Sequence, residues 1–224
     1  MALVTIARYD GLAEWYEREF AGDGPARQTV LALLGDGPGR LLDVGCGSGA
    51  HTATFAERGW DVVGVDISED LLDRARARGV EVINADAASL PFPDASFDAV
   101  VSMWTHTDVE DFGAVVRDGA RVLRRGGAFV YLGVHPCFVG PHSEFAGAVG
   151  VPRLHAGHYR RAGRYTNAPG LSPSGLRAKV GATHLPLASF VQAFADAGLR
   201  IECFDEPEAG GRDFPYMVAI RARR

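Results

Sequence analysis

The stretch from Leu41 to Gly49 constrains the fold of this chain more than any other. An apolar run that ends at Val44 has the composition of a buried parallel strand, and glycines follow at positions 45, 47 and 49. A helical pattern begins directly afterwards at Ala50. Because glycine permits sharp bends and close contact between backbone and ligand, a strand, a glycine turn and a helix start in this order predict an adenosyl-cofactor site.

Strands and helices alternate regularly after this turn. The predicted strands cover residues 40–44, 61–65, 80–84, 97–102 and 128–133, and the predicted helices cover residues 50–57, 69–78 and 109–123. This alternation predicts an α/β fold with a parallel sheet and helices on both of its faces. Since the loops after parallel strands meet at one edge, Asp43, Asp66, Asp86 and Met103 should line one crevice.

The two ends of the chain depart from this alternation. Residues 3–20 place aromatic side chains on one helical face, which is typical of a helix packed on the domain or of a flap over the cofactor pocket. A second helix is predicted over residues 26–34, so residues 1–35 form an N-terminal helical region. A helix over 185–197 precedes two strands joined by a glycine-rich loop around Gly210 and Gly211, which predicts an antiparallel hairpin.

Residues 134–184 break the alternation and form a predicted insertion after the fifth strand. This segment contains five prolines, eight glycines and five of the seven histidines. It is too long for an ordinary connection, which favours a functional segment such as a substrate lid. Residues 135–184 carry six Arg and Lys against Glu144 alone, a local charge of +5. Such a segment either attracts a carboxylate or phosphate, or is an ordinary exposed surface.

Composition excludes several classes of protein. The length of 224 residues suits a single domain spanning 1–224, and a net charge of −5 argues against general nucleic-acid binding. No apolar run approaches the roughly 18 residues of a membrane span, and residues 1–10 lack a signal-peptide core, so we expect a cytoplasmic protein. The three cysteines are far apart and odd in number, which suggests neither a disulfide framework nor a zinc knuckle.

Five motifs together resemble the class I S-adenosylmethionine-dependent methyltransferases, and more narrowly the small methyltransferases of ubiquinone and menaquinone biosynthesis. These motifs lie at residues 41–49, 63–68, 86–92, 97–101 and 123–127. The resemblance covers residues 9–133 well and 184–222 more loosely. It implies a Rossmann-like, mostly parallel sheet of seven strands whose last strand is antiparallel, with a lid inserted after strand five.

The resemblance also implies roles for individual residues. Asp43 would orient the methionine part of the cofactor above the glycine turn. Asp66 would accept hydrogen bonds from both ribose hydroxyls, and Asp86 would accept one from the adenine amine. The implied cofactor-binding set is Tyr9, Tyr16, Asp43, Gly45, Cys46, Gly47, Gly49, Asp66, Ile67, Asp86, Ala87 and Met103. The cofactor would be S-adenosyl-L-methionine, and its product S-adenosyl-L-homocysteine.

Two other functions fit part of the same pattern. Gly45, Gly47 and Ala50 satisfy the dinucleotide-binding pattern and Asp66 follows about 20 residues later, so a nicotinamide-dependent oxidoreductase is one alternative. A protein that binds the cofactor on this scaffold without methylating anything is the other. Asp86 with the Leu90 loop, together with the terminal hairpin, favours the methyl donor.

The predicted reaction is an in-line methyl transfer to oxygen or nitrogen, with carbon a further option. A hydroxyl or amine acceptor needs a base in some cases, and His106 and His135 follow strands four and five. For the acceptor pocket the predicted residues are His142, Tyr159, Arg160 and His184. The lid and acceptor pocket would also contain Phe138, Phe145 and Tyr165, and the mix of aromatic and arginine side chains in this insertion suits a small planar acceptor with an acidic group. The spacing of His155 and His158 offers too few ligands for a metal, and both a monomer and a homodimer remain open.

Overall fold

The computed structural model describes residues 7–20, 24–146, 151–169, 171, 175–208 and 213–224, without the side chains of Phe145 and Ala146. The described helices are α1 (Ala13–Phe20), α2 (Gly24–Leu34), α3 (Ala50–Glu57), α4 (Glu69–Ala77), α5 (Phe112–Val122), α6 (Leu176–Val180) and α7 (Leu187–Asp196). The described strands are β1 (Gly39–Val44), β2 (Trp60–Asp66), β3 (Glu81–Asn84), β4 (Phe97–Met103), β5 (Leu123–Val134), β6 (Ser143–Ala146), β7 (Val151–Leu154), β8 (Gly163–Tyr165), β9 (Ala182–His184), β10 (Arg200–Asp205) and β11 (Met217–Arg223).

A seven-stranded sheet in the order β10-β11-β5-β4-β1-β2-β3 forms the centre of the molecule. Strands β1 to β5 pair in parallel, whereas β11 runs antiparallel to both β5 and β10. The predicted fold class and the terminal hairpin are therefore confirmed. Val44 lies level with Val65 of β2 and Ser102 of β4, so the segments after these three strands leave the sheet at one edge.

Apolar side chains pack on both faces of the sheet. On one face, α5 and α7 bring Phe112, Phe190 and Phe194 against Phe129 and Tyr131 of β5. On the other face, α2 and α3 cover the sheet with buried side chains such as Val30 and Phe55. Because the central strands are covered on both sides, their sequences are continuous apolar runs rather than alternating ones.

The region between β4 and β5 differs from its predicted boundaries. A short 3-10 helix occupies Thr105–Thr107, and α5 begins only at Phe112. Asp111 explains this start, because its Oδ1 accepts the Ala114 N–H at 2.9 Å and so caps the helix. Strand β5 begins at Leu123, five residues before the predicted position, since this buried residue pairs with Phe97.

The segment predicted as an insertion contains regular structure that its sequence did not indicate. Strands β6 and β7 pair as one antiparallel ribbon, and β8 and β9 pair as another. The short helix α6 precedes β9. Residues 1–6 of the predicted flap and the loop around Gly210 and Gly211 lie outside the described residues. None of the helices in the described ranges is long and apolar enough to cross a membrane.

Candidate active site

The glycine turn after β1 is held against β2 by its own backbone. The N–H groups of Gly45 and Cys46 both donate to the carbonyl of Val65, at 2.8 and 3.0 Å. Gly45 has a φ of +77°, and a side chain there would collide with the Thr105 methyl group. The turn therefore requires glycine at this position for two reasons, its backbone conformation and its contact with the segment after β4.

Backbone donors fix the carboxylate of Asp66 at the end of β2. Its Oδ2 accepts the Gly47 N–H at 2.9 Å, and its Oδ1 accepts the Ser68 N–H at 2.9 Å. Burial raises the pKa of Asp66, and these two hydrogen bonds oppose the rise. Each oxygen has a further lone pair, so this carboxylate can still accept hydrogen bonds from a ligand.

Asp43 is the second carboxylate at this edge, and it is only 2% exposed. Its Oδ2 accepts a hydrogen bond from the Thr52 hydroxyl at 2.7 Å. Burial raises the pKa of Asp43 to about 6, with the nearby Asp66 charge adding to the rise and Thr52 opposing it. The side chain is therefore mostly charged at neutral pH and loses that charge as the pH falls through about 6.

A cavity opens above this turn, and it is lined by every predicted cofactor-binding residue except Gly49. Those that line it are Tyr9, Tyr16, Asp43, Gly45, Cys46, Gly47, Asp66, Ile67, Asp86, Ala87 and Met103. Gly49 instead begins α3 with a φ of +76°, and a Cβ there would lie 2.8 Å from the Ala75 methyl group. Glycine at this position thus lets α3 and α4 pack closely, and a contact of Gly49 with the cofactor stays a prediction.

Aromatic residues before and within α1 close this cavity. The rings of Tyr9 and Tyr16 pack edge to face with centroids 5.3 Å apart. The Tyr9 hydroxyl donates to Asp108 Oδ1 at 3.0 Å, which joins this segment to the loop after β4. Burial and the nearby Asp108 charge raise the pKa of Tyr9, so the hydroxyl stays protonated at neutral pH.

A second cavity adjoins the first. The two share Tyr9, Tyr16, Phe20, Trp104 and Asp108 in their linings. The predicted insertion, the end of β5 and the residue before β11 supply most of the remaining wall. It is largely aromatic and aliphatic: Val134, Val139, Tyr165, Leu171, Leu176 and Tyr216. A small molecule in this second cavity would therefore face one in the first.

Arg177 of α6 binds the loop after β4 at the junction of the cavities. It contacts Asp108 Oδ1 at 2.5 Å and donates to the Thr107 hydroxyl oxygen at 2.7 Å. Burial acts to lower the pKa of Arg177, but the Asp108 carboxylate outweighs it and raises that pKa. This ion pair attaches the insertion to the sheet edge.

His106 lies away from both cavities, which contradicts its predicted role as a base. Its ring is buried among Phe112 and Phe190 on the α5 and α7 face, and its Nδ1 contacts the Tyr131 hydroxyl. Burial lowers the pKa of His106 to about 3. The 3-10 helix after β4 turns this side chain into the core. The strand topology therefore predicted the correct edge of the sheet for His106, but not the direction of its side chain.

His135 also lies outside both cavity linings. Its Nδ1 accepts the Cys137 N–H at 3.1 Å, and its Nε2 lies 2.8 Å from Glu206 Oε1. Burial lowers the pKa of His135, although Glu206 opposes this. These contacts tie the end of β5 to the segment after β10, so the structure does not support the predicted role as a base.

The four predicted acceptor-pocket residues do not line the second cavity either. His142 and His184 each donate an Nε2–H to a backbone carbonyl at 2.8 Å, those of Cys137 and Tyr159. The Tyr159 hydroxyl accepts the Leu187 N–H at 3.1 Å, and Arg160 is exposed. His142 and His184 thus connect parts of the insertion, and Tyr159 connects it to α7, which corrects the prediction that these residues line the acceptor pocket.

Several residues of the cavity linings were not among the predicted site residues, and Trp104, Arg27 and Arg177 are the most informative of them. Trp104 directly follows Met103 at the end of β4 and adopts a left-handed φ of +63°, a costly backbone conformation for a large residue. Its position one residue past a predicted site residue could have identified it. Arg27 of α2 lines the first cavity, and its buried Nε has no hydrogen-bond partner among the described residues. Neither Arg27 nor Arg177 had a sequence signal beyond its charge.

The sheet order, the glycine turn and the two acidic strand ends define a nucleotide-type cofactor site in an α/β enzyme fold. Comparison with known proteins agrees. Residues 42–131 match the family model of a methyltransferase domain. A solved S-adenosylmethionine-dependent methyltransferase from Mesorhizobium loti superposes with a TM-score of 0.76 at 28% identity, over 90% of this chain and 99% of its own.

Two curated relatives extend this comparison. A demethylmenaquinone methyltransferase from Tropheryma whipplei is 35% identical over 158 residues, 65% of this chain and 66% of its own length. A fatty-acid O-methyltransferase from Mycolicibacterium smegmatis is 36% identical over 113 residues, 48% of this chain and 41% of its own length. This chain belongs to the class I S-adenosylmethionine-dependent methyltransferase family.

Proposed function

We propose that this protein transfers the methyl group of S-adenosylmethionine to a small-molecule acceptor, at an oxygen, nitrogen or carbon atom. The observation that carries the proposal is the meeting of two cavities at Tyr9, Tyr16, Trp104 and Asp108. The first contains the acidic strand ends and the glycine turn. We assign the acceptor to the second cavity, because an acceptor bound there would face the reacting end of the cofactor.

The residues of the first cavity fit the cofactor's chemistry. Asp66 keeps lone pairs for the ribose hydroxyls, and Asp86 with the Ala87 backbone would hold the adenine. The unpartnered Arg27 guanidinium supplies the cation that the cofactor's carboxylate needs, and Asp43 supplies a carboxylate for its ammonium. Within the described residues, the first cavity thus contains a partner of suitable charge for each polar end of the cofactor.

The protein's own contribution to methyl transfer is alignment and exclusion of water. When bound, S-adenosylmethionine supplies an activated methyl group on a sulfonium. Residues 1–35 would act as the flap over it, and residues 134–184 as the lid over the acceptor. Aromatic rings at the junction favour a cationic centre next to them. Because neither His106 nor His135 lines the junction, neither of these predicted bases forms part of the proposal.

The test is release of S-adenosylhomocysteine from S-adenosylmethionine in the presence of acceptor libraries of small hydroxylated, amino and enolic compounds. The proposal expects acceptor-dependent product that is lost in the Asp66→Ala variant. If the cofactor binds but no acceptor in any class yields product, the protein is a non-methylating binder on this scaffold. If NADH binds tightly and S-adenosylmethionine does not, the protein is an oxidoreductase instead.

A further inference from the structure

The second cavity contains only two charged side chains among the described residues that line it. These are Asp108 and Arg177, and they are bound to each other at 2.5 Å. The second hydrogen bond of Arg177 goes to the Thr107 hydroxyl, and that of Asp108 comes from the Tyr9 hydroxyl. The charge of each group is therefore neutralised, and its nearest polar neighbours belong to the protein itself.

An anionic acceptor would be disfavoured in such a cavity. To bind Arg177 it would have to displace Asp108 or approach within a few ångströms of that carboxylate, which repels it. The other arginine proposed from sequence for this purpose, Arg160, is exposed and does not contribute to the lining. Arg177, the cation in the lining that could bind a carboxylate, is thus already paired with Asp108.

One polar group in the lining remains available. Tyr165 of β8 lines the cavity half-buried, and its hydroxyl has no hydrogen-bond partner in the part of the chain that the structure describes. Burial raises the pKa of Tyr165, so the hydroxyl is neutral and can both donate and accept. A hydroxyl at the cavity wall without a protein partner can pair with a polar atom of a bound molecule.

We propose that the second cavity selects an uncharged, mainly apolar acceptor, with Asp108 as the residue that excludes anions and Tyr165 as the residue that recognises one polar atom. This inference rests on the proposed function, since it assigns the second cavity to the acceptor. It departs from the sequence-based expectation of an acidic acceptor. Asp108 acts on specificity through Arg177. If the charge of Asp108 is removed, Arg177 becomes an unpaired cation that can bind an anion.

The experiment measures binding of three aromatic probes to protein saturated with S-adenosylhomocysteine. The probes are naphthol, its hydroxynaphthoate counterpart with an added carboxylate, and methylnaphthalene, which has no polar atom. Wild-type protein is expected to bind naphthol at least tenfold more tightly than hydroxynaphthoate. The Asp108→Asn variant should shift this ratio at least tenfold towards the carboxylate, and the Asp108→Asn/Arg177→Gln double variant should lose that gain. Tyr165→Phe should weaken naphthol binding severalfold and leave methylnaphthalene binding unchanged.

Each outcome decides the inference. Equal or tighter binding of hydroxynaphthoate by wild-type protein would overturn it, as would no binding of naphthol. A probe ratio that Asp108→Asn leaves unchanged, while S-adenosylhomocysteine affinity shows that the variant is folded, would remove Asp108 from the selection. Cofactor affinity is measured separately in the wild-type protein and in every variant. Absence of cofactor binding by wild-type protein would count against the proposed function. Cofactor binding without the expected probe selectivity would count against this inference alone.

Discussion

The backbone N–H of Gly47 donates to Asp66 Oδ2 over 2.9 Å, which joins the turn after β1 to the end of β2. Ser68 holds the other oxygen of the same carboxylate. The side chain is thus oriented by protein donors on both sides before any ligand binds. Such preorganisation reduces the entropy lost on binding, and it makes the carboxylate the natural reference point for the cofactor.

Removing this carboxylate should weaken the cofactor strongly. Asp66→Ala leaves the ribose hydroxyls and two backbone donors without a partner, which costs about 2–3 kcal/mol, or roughly 30- to 150-fold in affinity. Isothermal titration calorimetry with S-adenosylhomocysteine measures this directly. The matched control is Asp61→Ala, an exposed aspartate at the start of the same strand, for which unchanged affinity is expected. Equal affinities of the two variants would remove Asp66 from the site.

Arg27 should recognise the amino-acid end of the cofactor specifically. Its replacement by Met removes a charge-assisted contact, which lowers affinity for S-adenosylhomocysteine by about 10- to 100-fold. Methylthioadenosine lacks the amino-acid tail, so its affinity should not change. Arg27→Lys keeps the charge and should retain part of the binding. A loss that is equal for both ligands would show that Arg27 supports the cavity wall rather than the carboxylate.

Cofactor affinity should fall as the pH drops below about 6. The free protein has an Asp43 pKa of about 6, raised by burial, so at lower pH this group is protonated and no longer attracts the cofactor's ammonium. The dissociation constant should then rise by up to about tenfold per pH unit. Titrations between pH 5 and 8 test this, with Asp43→Asn as the comparison. A pH dependence that persists unchanged in this variant would assign it to another group.

His106 should make the fold less stable in acid. Its folded pKa of about 3 lies below the unfolded value of about 6.5, so its contribution is complete above the unfolded value and is lost as the pH falls towards 3. The slope is at most about 1.4 kcal/mol per pH unit. Urea unfolding at pH 7 and pH 5 should show a smaller difference for His106→Phe/Tyr131→Phe than for wild-type protein. The same difference in both proteins would contradict this assignment.

The positions of strand ends were easier to predict than the directions in which the side chains after them point. Asp43, Asp66 and Met103 reached the cavity because parallel strands fix the edge at which their ends lie. His106 is three residues past Met103, but the 3-10 helix rotates it into the opposite core. No pattern of composition specifies that rotation, which depends on packing against Phe190.

The acceptor side was harder to predict for a different reason. The wall of the second cavity comes from short ribbons and a five-residue helix, whose pairing depends on contacts distant in sequence. Arg177 binds Asp108, which lies 69 residues earlier in the sequence, and no local motif predicts this pair. The histidines and Tyr159 had an appropriate chemistry for a pocket, yet the histidines bond to backbone carbonyls of the insertion and the Tyr159 hydroxyl bonds to the backbone of α7.

The most direct measurement of the central claim is a crystal structure of the protein with S-adenosylhomocysteine. The expected result places the ribose on Asp66 in the first cavity, with the sulfur at the junction lined by Tyr9 and Trp104 and facing the second cavity. A ligand bound elsewhere, or a sulfur that faces away from the second cavity, would contradict the assignment of the two cavities to methyl donor and acceptor.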